Sequence, residues 1–264
     1  MNKQRLLAGI DAGHINMKVI VMRGQEILGY YAEPTGFDVL NAAQTALDGA
    51  LKNAEVSLGE LGGIVATGIF KDIVELPHQN EAITIPEYMA DAKGALFLNK
   101  DSRTIIDIGG NIHKAISYDQ KGELLDVIQN DKCADGLGIF YTTMAKALEL
   151  SEQEMSELAL KSTKNLSIAI QCALSAETDA VDLICQGKDI ADVANAISKY
   201  VAERVADMSS YMSLTKEVVV AGGLANSLAI IKHLSDLIKQ EVTVLKHPEY
   251  VGAIGAVISF EGGK

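Results

Sequence analysis

Two short turns that combine aspartate with glycine are the first residues of this chain that could do chemistry. They are residues 9–13, Gly-Ile-Asp-Ala-Gly, and residues 107–110, Asp-Ile-Gly-Gly. Glycine lets backbone N–H groups approach phosphate oxygens, and a nearby carboxylate can hold Mg²⁺ through water. The chain also carries Cys133 and Cys172, and cysteine thiolates are metal ligands and redox groups. The sequence therefore joins ATP binding to thiolate chemistry.

The candidate nucleotide ligands lie at three places along the chain. Near the first turn, Asp11 could serve Mg²⁺ and Lys18 could neutralise phosphate charge. At the second turn, Asp107 could orient the attacking water, and a later Gly-Gly pair could let adenosine lie against the backbone. The full set is Asp11, Gly13, Asn16, Lys18, Asp107, Gly109, Gly110, Gly222 and Gly223.

A simpler interpretation of each turn competes with this one. An isolated Asp-x-Gly is usually an ordinary turn at a strand end, because both residues are favoured in turns. Three such motifs in matching context favour nucleotide binding. After the first turn, however, only His14 and Asn16 can hydrogen-bond within residues 14–17. That departure favours binding over fast hydrolysis, and His14 could equally be a plain solvent-facing loop residue.

The three cysteines differ in their surroundings. Cys133 lies in a polar, glycine-containing segment before a predicted helix, where the helix N-terminus and Lys132 would favour the thiolate. Cys172 lies in an apolar run that we predict to be helical, and we interpret Cys185 as structural. Two thiolates are too few for a [4Fe-4S] cluster, whereas a symmetric dimer would supply four. Zinc could use the same four thiolates.

Composition limits the class of protein and its partners. The 264 residues are 48% hydrophobic and 22% charged, which is an ordinary globular balance. The formal charge of −12 argues against nucleic acid or an anionic membrane as the main partner. No signal peptide or run of about 20 apolar residues is evident, so we expect a cytoplasmic protein with reduced cysteines.

A repeated pattern of predicted elements indicates two related α/β lobes. A strand, an Asp turn, a second strand, a hairpin and a third strand occur near the start of the chain and again from Thr104. The predicted strands are Leu6–Ile10, Met17–Met22, Glu26–Tyr31, Gly62–Ala66, Thr104–Ile108, Ile112–Tyr118, Leu124–Gln129, Glu217–Ala221 and Val242–Leu245. The predicted helices are Phe37–Ala54, Gly138–Leu150, Glu152–Lys161, Leu166–Cys185, Ile190–Met212 and Ala225–Lys239.

This duplication resembles the actin, Hsp70 and sugar-kinase superfamily, whose ribonuclease H-like lobes enclose a nucleotide cleft. The likeness rests on the Asp-x-Gly turns and the late Gly-Gly pair. We therefore expect an α/β fold with an N-terminal lobe over residues 1–98 and a C-terminal lobe over residues 99–264. The second lobe would carry both candidate metal-ligating cysteines.

Longer motifs resemble one family over nearly the whole chain, the ATP-dependent activators of 2-hydroxyacyl-CoA dehydratases together with the ATP-binding subunits of benzoyl-CoA reductase (BadF/BadG/BcrA/BcrD-type ATPases). The most specific is the Asn-Asp-Lys-Cys-Ala segment at residues 130–134 with a second cysteine at Cys172. The other matching segments are residues 9–13, 103–110, 176–177, 222–223 and 252–256.

The resemblance implies a homodimer bridged by one [4Fe-4S] cluster, with ATP or ADP and Mg²⁺ bound to each chain. It implies Cys133 and Cys172 as cluster ligands and Asp11 and Asp107 as the catalytic aspartates, with Glu177 lining the nucleotide site. It further implies that ferredoxin or flavodoxin donates an electron, which passes at low potential to a partner iron–sulfur protein.

Departures from the family pattern bear on turnover and partner. Residues 67–71 and 111–112 differ from the family's usual residues, as do residues 135–137 after Cys133. Residues 176–179 and the His247-Pro248 ending look more like the benzoyl-CoA reductase subunits, which are therefore the alternative. A small-molecule kinase or a non-catalytic actin-like nucleotide-binding protein are the remaining hypotheses.

Overall fold

The computed structural model describes residues 5–74 and 83–262. Its described residues form two compact units. The first comprises residues up to 101 together with 118–125 and the stretch from 249 onward, and the second comprises residues 102–117 and 126–248. The sequence analysis assigned residues 99–264 to the C-terminal lobe. The stretch from 249 onward belongs instead to the first unit, because its helix packs on the sheet of that unit.

The first unit is built on a five-stranded sheet of order β3-β2-β1-β4-β5. Strands β1 and β2 are antiparallel, as are β2 and β3, while β4 runs parallel to β1 and β5 runs parallel to β4. The strands are β1 (Leu6–Ala12), β2 (Asn16–Arg23), β3 (Glu26–Pro34), β4 (Ile64–Thr67) and β5 (Ile83–Thr84). The helices are α1 (Val39–Asn53), α2 (Glu87–Leu98) and α8 (Val251–Gly262).

Helices cover both faces of this sheet. Because side chains alternate along a strand, Ala8 and Ile10 of β1 pack with α1, while Leu7 packs with α8. The strand is accordingly buried along its whole length. It ends at Asp11 and Ala12, so the first Asp turn is held by a fully buried strand.

The second unit repeats the same strand order. Its sheet has the order β8-β7-β6-β9-β10, with β7 antiparallel to β6 and with β9 and β10 parallel to it. The strands are β6 (Thr104–Ile108), β7 (His113–Tyr118), β8 (Leu124–Gln129), β9 (Val218–Ala221) and β10 (Thr243–Val244). The predicted duplication is therefore present in the strand pairing itself.

Five helices form the core of the second unit against one face of its sheet. They are α3 (Leu137–Ala147), α4 (Glu152–Ala159), α5 (Ala173–Cys185), α6 (Ile190–Ser209) and α7 (Leu228–Ile238). The buried cluster joins Ile106 and Val220 of the sheet to Tyr141 and Tyr200 of the helices. Among the residues that the structure describes, no helix is both long enough and apolar enough to cross a membrane.

Candidate nucleotide and metal sites

The first Asp turn contains an ion pair between neighbouring strands. Asp11, at the end of β1, lies opposite Lys18 of β2, and the Lys18 Nζ lies 2.7 Å from the Asp11 Oδ2. Both side chains are largely buried, since 12% of the Asp11 side chain and 19% of the Lys18 side chain are exposed. An ammonium group has three donors, so Lys18 can keep Asp11 and still contact an anion.

The remainder of the first turn is open to solvent. The Gly13 carbonyl oxygen accepts a hydrogen bond from the Thr35 Oγ1 at 2.8 Å, which fixes the turn against the end of β3. Asn16 and His14 are exposed. The His14 ring lies edge-on to Phe70, with ring centroids 5.6 Å apart, so it is partly ordered by an aromatic contact.

The second Asp turn contains a matching ion pair that the sequence analysis missed. Asp107 lies opposite Lys114 of β7, with the Lys114 Nζ 3.2 Å from the Asp107 Oδ2. Only 6% of the Lys114 side chain is exposed. The signal was available in the sequence, because lysine follows aspartate by the same spacing in both repeats, at Asp11 and Lys18 and again at Asp107 and Lys114.

A glycine of left-handed backbone conformation contacts the aspartate in each unit. Gly68 follows β4 with φ +89°, and Gly222 follows β9 with φ +88°. A Cβ atom at Gly68 would lie 2.7 Å from the Asp11 Oδ1, and one at Gly222 would lie 2.6 Å from the Asp107 Oδ1. Both positions therefore need glycine for conformation and for space. Gly223 is different, since a Cβ there would meet no described atom within 4 Å.

The second turn is hydrogen-bonded to the start of α3. The Gly136 N–H donates to the Asn111 carbonyl oxygen at 2.9 Å, and the Ile139 N–H donates to the Gly110 carbonyl oxygen at 3.1 Å. The same chain segment carries Cys133, three residues before Gly136. The glycine turn predicted to bind phosphate is thus directly joined to the segment that bears a candidate metal ligand.

Cys133 lies in a short 3-10 turn, Lys132–Ala134, just before α3. The Asp131 carboxylate caps this turn by accepting hydrogen bonds from the Cys133 N–H at 3.0 Å and from the Ala134 N–H at 3.2 Å. Cys133 is exposed. The prediction of a polar segment before a helix is confirmed, and the thiol is accessible to a ligand from outside the chain.

The predicted helix Leu166–Cys185 is wrong in its first part, because helix α5 begins only at Ala173. The backbone before it is held by side chains from elsewhere in the unit. The Asp192 Oδ1 accepts from the Thr163 and Lys164 N–H groups, and the Tyr200 hydroxyl donates to the Gln171 carbonyl oxygen at 2.9 Å. Within the predicted helix, the Ala169 N–H donates to the Asp179 Oδ2 at 3.2 Å, so the backbone there bonds to side chains instead of following the i to i−4 pattern.

Cys172 is consequently the residue that caps α5, not one in the middle of a helix. The Ser175 and Leu174 backbone N–H groups at the start of α5 lower the pKa of the Cys172 thiol, and partial desolvation opposes them. This is the usual effect of a helix N-terminus on a thiolate. A metal ligand must be deprotonated, so the position suits ligation.

Tyr200 lies close to both cysteines. Its hydroxyl contacts the residue before Cys172, and its ring packs edge-on against Phe140 with centroids 5.4 Å apart. Burial raises the pKa of Tyr200 to about 12, against the effect of Arg204, and the Cys172 and Cys133 thiolates add to the rise. Helix α5, which Cys172 caps, also contacts the Lys132–Ala134 turn, so the fold brings together the segments of two cysteines that are 39 residues apart.

These donors fit a shared cluster or a metal ion. Cys133 is exposed, Cys172 is half-buried, and neither forms a disulfide. Each lies on the turn that leads into a helix, α3 or α5. Two accessible thiols per chain match half of the four that a cluster or a structural zinc requires.

Two other candidate residues lie on the helix that Cys172 caps. Glu177 is exposed on α5, in the second turn of that helix, and its place at the nucleotide stays a prediction. Cys185 is the last residue of α5 and is exposed, so it is not a core residue as its structural interpretation implied.

His113 is a buried residue of the second unit that the sequence analysis did not consider. Its relative exposure is 0%, and burial lowers its pKa from 6.5 to about 4, against the opposing effects of Asp107, Asp135 and the Ala134 backbone. The unfolded chain binds a proton here below pH 6.5, whereas the folded protein does so only near pH 4. Folding stability should therefore fall by up to about 3 kcal/mol as the pH drops across this interval.

Chemical denaturation measures the free energy of unfolding at about pH 7 and at about pH 4.5. These two values span most of the interval between the unfolded and folded pKa of His113. The His113→Met variant is the matched control, because it keeps the carboxylates that also titrate on acidification. We expect the wild-type protein to lose more stability between the two values than the variant does. Equal losses in both proteins would show that His113 is not buried in its neutral form.

The duplicated α/β unit, with an Asp turn in each copy, defines an actin-like fold. A ROK-family glucokinase from Streptomyces griseus has the same fold, with a TM-score of 0.58 over 95% of this chain and 97% of that one at 13% identity. The family model described as the BadF/BadG/BcrA/BcrD ATPase family matches residues 8–259. The chain belongs to this family, and the family and fold expected from the sequence are confirmed.

Two relatives and one solved structure place the chain more closely. It is 31% identical to an activator of lactoyl-CoA dehydratase from Anaerotignum propionicum, over 95% of both chains. It is 26% identical to one of the subunits of benzoyl-CoA reductase from Thauera aromatica, over 96% of this chain and 92% of that one. The activator of 2-hydroxyisocaproyl-CoA dehydratase from Clostridium difficile with bound ADPNP has a TM-score of 0.88, with 27% identity over 96% of this chain and 93% of that one.

Proposed function

We propose that this protein is an ATP-dependent activator that passes low-potential electrons to a partner iron–sulfur protein. Two chains would share one [4Fe-4S] cluster, held by Cys133 and Cys172 of each. Ferredoxin or flavodoxin would be the donor, and a protein of the acyl-CoA dehydratase kind would be the acceptor. Binding and hydrolysis of Mg²⁺-ATP would drive the transfer.

The arrangement of the two cysteines is the observation that carries this proposal. Both thiols are accessible, both precede helices, and the helix that Cys172 caps contacts the Cys133 turn in the unit that contains the second Asp turn. A [4Fe-4S] group bound here would supply one-electron redox chemistry at low potential. The backbone N–H groups at the start of α5 would stabilise the Cys172 thiolate that binds it.

The Asp turn of each unit supports a role for ATP. Asp11 and Asp107 are the candidates for ordering Mg²⁺ and the attacking water, and Lys18 and Lys114 can neutralise charge on phosphate oxygens. The C. difficile relative carries an ATP analogue in its structure. We infer that the glycines at positions 13, 109, 110, 222 and 223 give the nucleotide close access to the backbone.

The hydrogen bonds between the second turn and α3 supply a route for coupling. A change at Gly110 or Asn111 acts directly on residues 136–139, and these follow Cys133 by a few positions. If ATP and ADP hold this turn in different positions, they will also favour different positions of the Cys133 segment.

The alternative role, as an ATP-binding component of a benzoyl-CoA reductase, uses the same site in a different assembly. The T. aromatica relative supports it, although at lower identity than the dehydratase activator. Purification distinguishes the two, because an activator is expected to be stable as a dimer of one chain. A cluster that assembles only with a second kind of chain would favour the alternative.

Anaerobic electron transfer tests the proposed function. The protein is reduced with dithionite, freed of excess reductant and mixed with an iron–sulfur acceptor such as lactoyl-CoA dehydratase, with Mg²⁺-ATP or Mg²⁺-ADP. We expect reoxidation, followed by visible absorbance, to be at least about tenfold faster with ATP, near the lower end of a typical coupling. Equal rates with both nucleotides, in a protein that hydrolyses ATP, would contradict the coupling.

A further inference from the structure

His113 is a fully buried histidine that neither the nucleotide site nor the cysteine site uses. Its relative exposure is 0%, and neither ring nitrogen has a hydrogen-bond partner among residues 5–74 and 83–262. A buried polar group without a partner lowers folding stability and is rare in native proteins. Its presence calls for a reason other than packing.

The internal duplication shows that the sheet itself does not need a histidine there. In the first unit the residue before the paired lysine is Met17, which lies opposite Ala12 on β1. In the second unit it is His113, which lies opposite Ile108 on β6. Both side chains are 0% exposed. The same position in the same sheet can thus be filled by an apolar side chain of similar size.

The backbone of His113 is joined to the segment that carries Cys133. Its N–H donates to the Asn130 Oδ1 at 2.7 Å, and its carbonyl oxygen accepts from the Asn130 N–H at 3.1 Å. The Asn130 Nδ2 in turn donates to the Asp131 carbonyl oxygen at 2.9 Å and to the Asp135 Oδ1 at 2.7 Å. Residues 131 and 135 lie on either side of the Cys133 turn. The Asn130 side chain therefore connects the His113 backbone to that turn.

The imidazole itself is close to the same turn. The Asp107 and Asp135 carboxylates and the Ala134 backbone all raise its pKa, and the Ala134 backbone is near enough to act on the ring without reaching the distance and angle of a full hydrogen bond. The turn is held on its other side by the bond from Gly136 to Asn111. A small movement of residues 109–111 would therefore change the distance between the ring and the Ala134 backbone.

We propose that His113 is a positioning residue that couples the glycine turn of residues 109–111 to the Cys133 turn. In the present arrangement no hydrogen bond of full geometry reaches the ring, and one to the nearby Ala134 backbone forms when nucleotide moves the turn. A group that is satisfied in only one of two arrangements favours that arrangement. The inference rests on the proposed function, since it assumes that the turn binds nucleotide.

Alkylation of Cys133 in the metal-free protein tests this coupling without the cluster. Cys172→Ser and Cys185→Ser leave Cys133 as the only thiol of the three in the sequence. Iodoacetamide labelling is followed with and without a non-hydrolysable ATP analogue. We expect the analogue to change the rate at least about fivefold with His113 present and hardly at all in His113→Met. His113→Met should still bind the analogue, but more weakly, because it lacks the hydrogen bond that forms only in the bound arrangement.

Two further measurements separate coupling from a structural role. We expect His113→Met to melt at the same or a higher temperature, because an unsatisfied polar group is removed. His113→Gln keeps a donor and an acceptor and should restore part of the response to the analogue. A response that persists in His113→Met, or that is absent in the parent protein although the analogue binds, would overturn the proposal. So would a large fall in melting temperature in His113→Met.

The outcome also distinguishes this inference from the proposed function. A protein that binds iron and the analogue but shows no labelling response would refute only the role of His113. A protein that does not bind the analogue at all would refute the proposed function, and this inference with it.

Discussion

Cys133→Ser and Cys172→Ser are each expected to lose nearly all of the iron that the anaerobically purified protein holds. A bridged cluster takes two thiolates from each chain, so one change per chain removes two of its four ligands. Serine keeps the size of the side chain but is a poor ligand for this kind of cluster. The loss should appear as a fall from about two irons per chain to near zero, together with loss of the brown colour.

Cys185→Ser is the matched control for this experiment. Cys185 is also free and exposed, but it lies at the far end of α5 from Cys172. Its replacement should leave the iron content unchanged. Iron lost in Cys185→Ser, or iron retained in either of the other two variants, would contradict the assignment of the ligands.

Asp107→Asn is expected to lower ATP hydrolysis by about 10²-fold or more while nucleotide still binds. The amide keeps the shape of the carboxylate but cannot accept a proton from the attacking water. Lys114 complicates this change, because its side chain is only 6% exposed and pairs with Asp107. Loss of the carboxylate leaves a buried charge without this partner, so some loss of stability should accompany the loss of turnover.

The variant Asp107→Asn/Lys114→Met separates the two effects. It should regain stability relative to Asp107→Asn without regaining hydrolysis. Asp11→Asn provides the second comparison, because Asp11 and Lys18 form the equivalent pair in the first unit. Normal hydrolysis in Asp107→Asn together with loss in Asp11→Asn would move the catalytic role to the first turn.

The sequence predicted the elements whose signals are local. Both Asp turns follow short apolar strands, and the Gly24 and Gly122 hairpins have the left-handed conformation that such turns favour. These features rest on neighbouring residues, and they were sufficient to reveal the duplication. The repeat then predicted the fold class, because the same succession of strands and turns occurs twice in proteins with two related α/β lobes.

Elements without an amphipathic period were missed or misplaced. Helices α2 and α8 were not predicted, since α8 is largely buried and α2 packs on it through small residues such as Gly94 and Ala90. The start of α5 was wrong because Asp192 and Tyr200, distant in sequence, hold the backbone before Cys172. No window of neighbouring residues contains that information.

The sequence indicated most of the candidate residues but not the ion pairs and hydrogen bonds that they form. Asp11, Lys18 and the two cysteines were identified from motifs, whereas Lys114 was missed although its spacing from Asp107 repeats that of Lys18 from Asp11. His113 could not have been recognised before its burial was known. A histidine in a sequence shows neither that both of its nitrogens are unpaired nor that Met17 occupies the equivalent place.

Iron and acid-labile sulfide per chain, measured with the native mass on anaerobically purified protein, test the central claim most directly. We predict about two irons and two sulfides per chain in a particle of two chains, since one four-iron cluster is shared. Zinc in place of iron, four irons per chain, or a metal-free monomer would each contradict a bridging cluster held by Cys133 and Cys172.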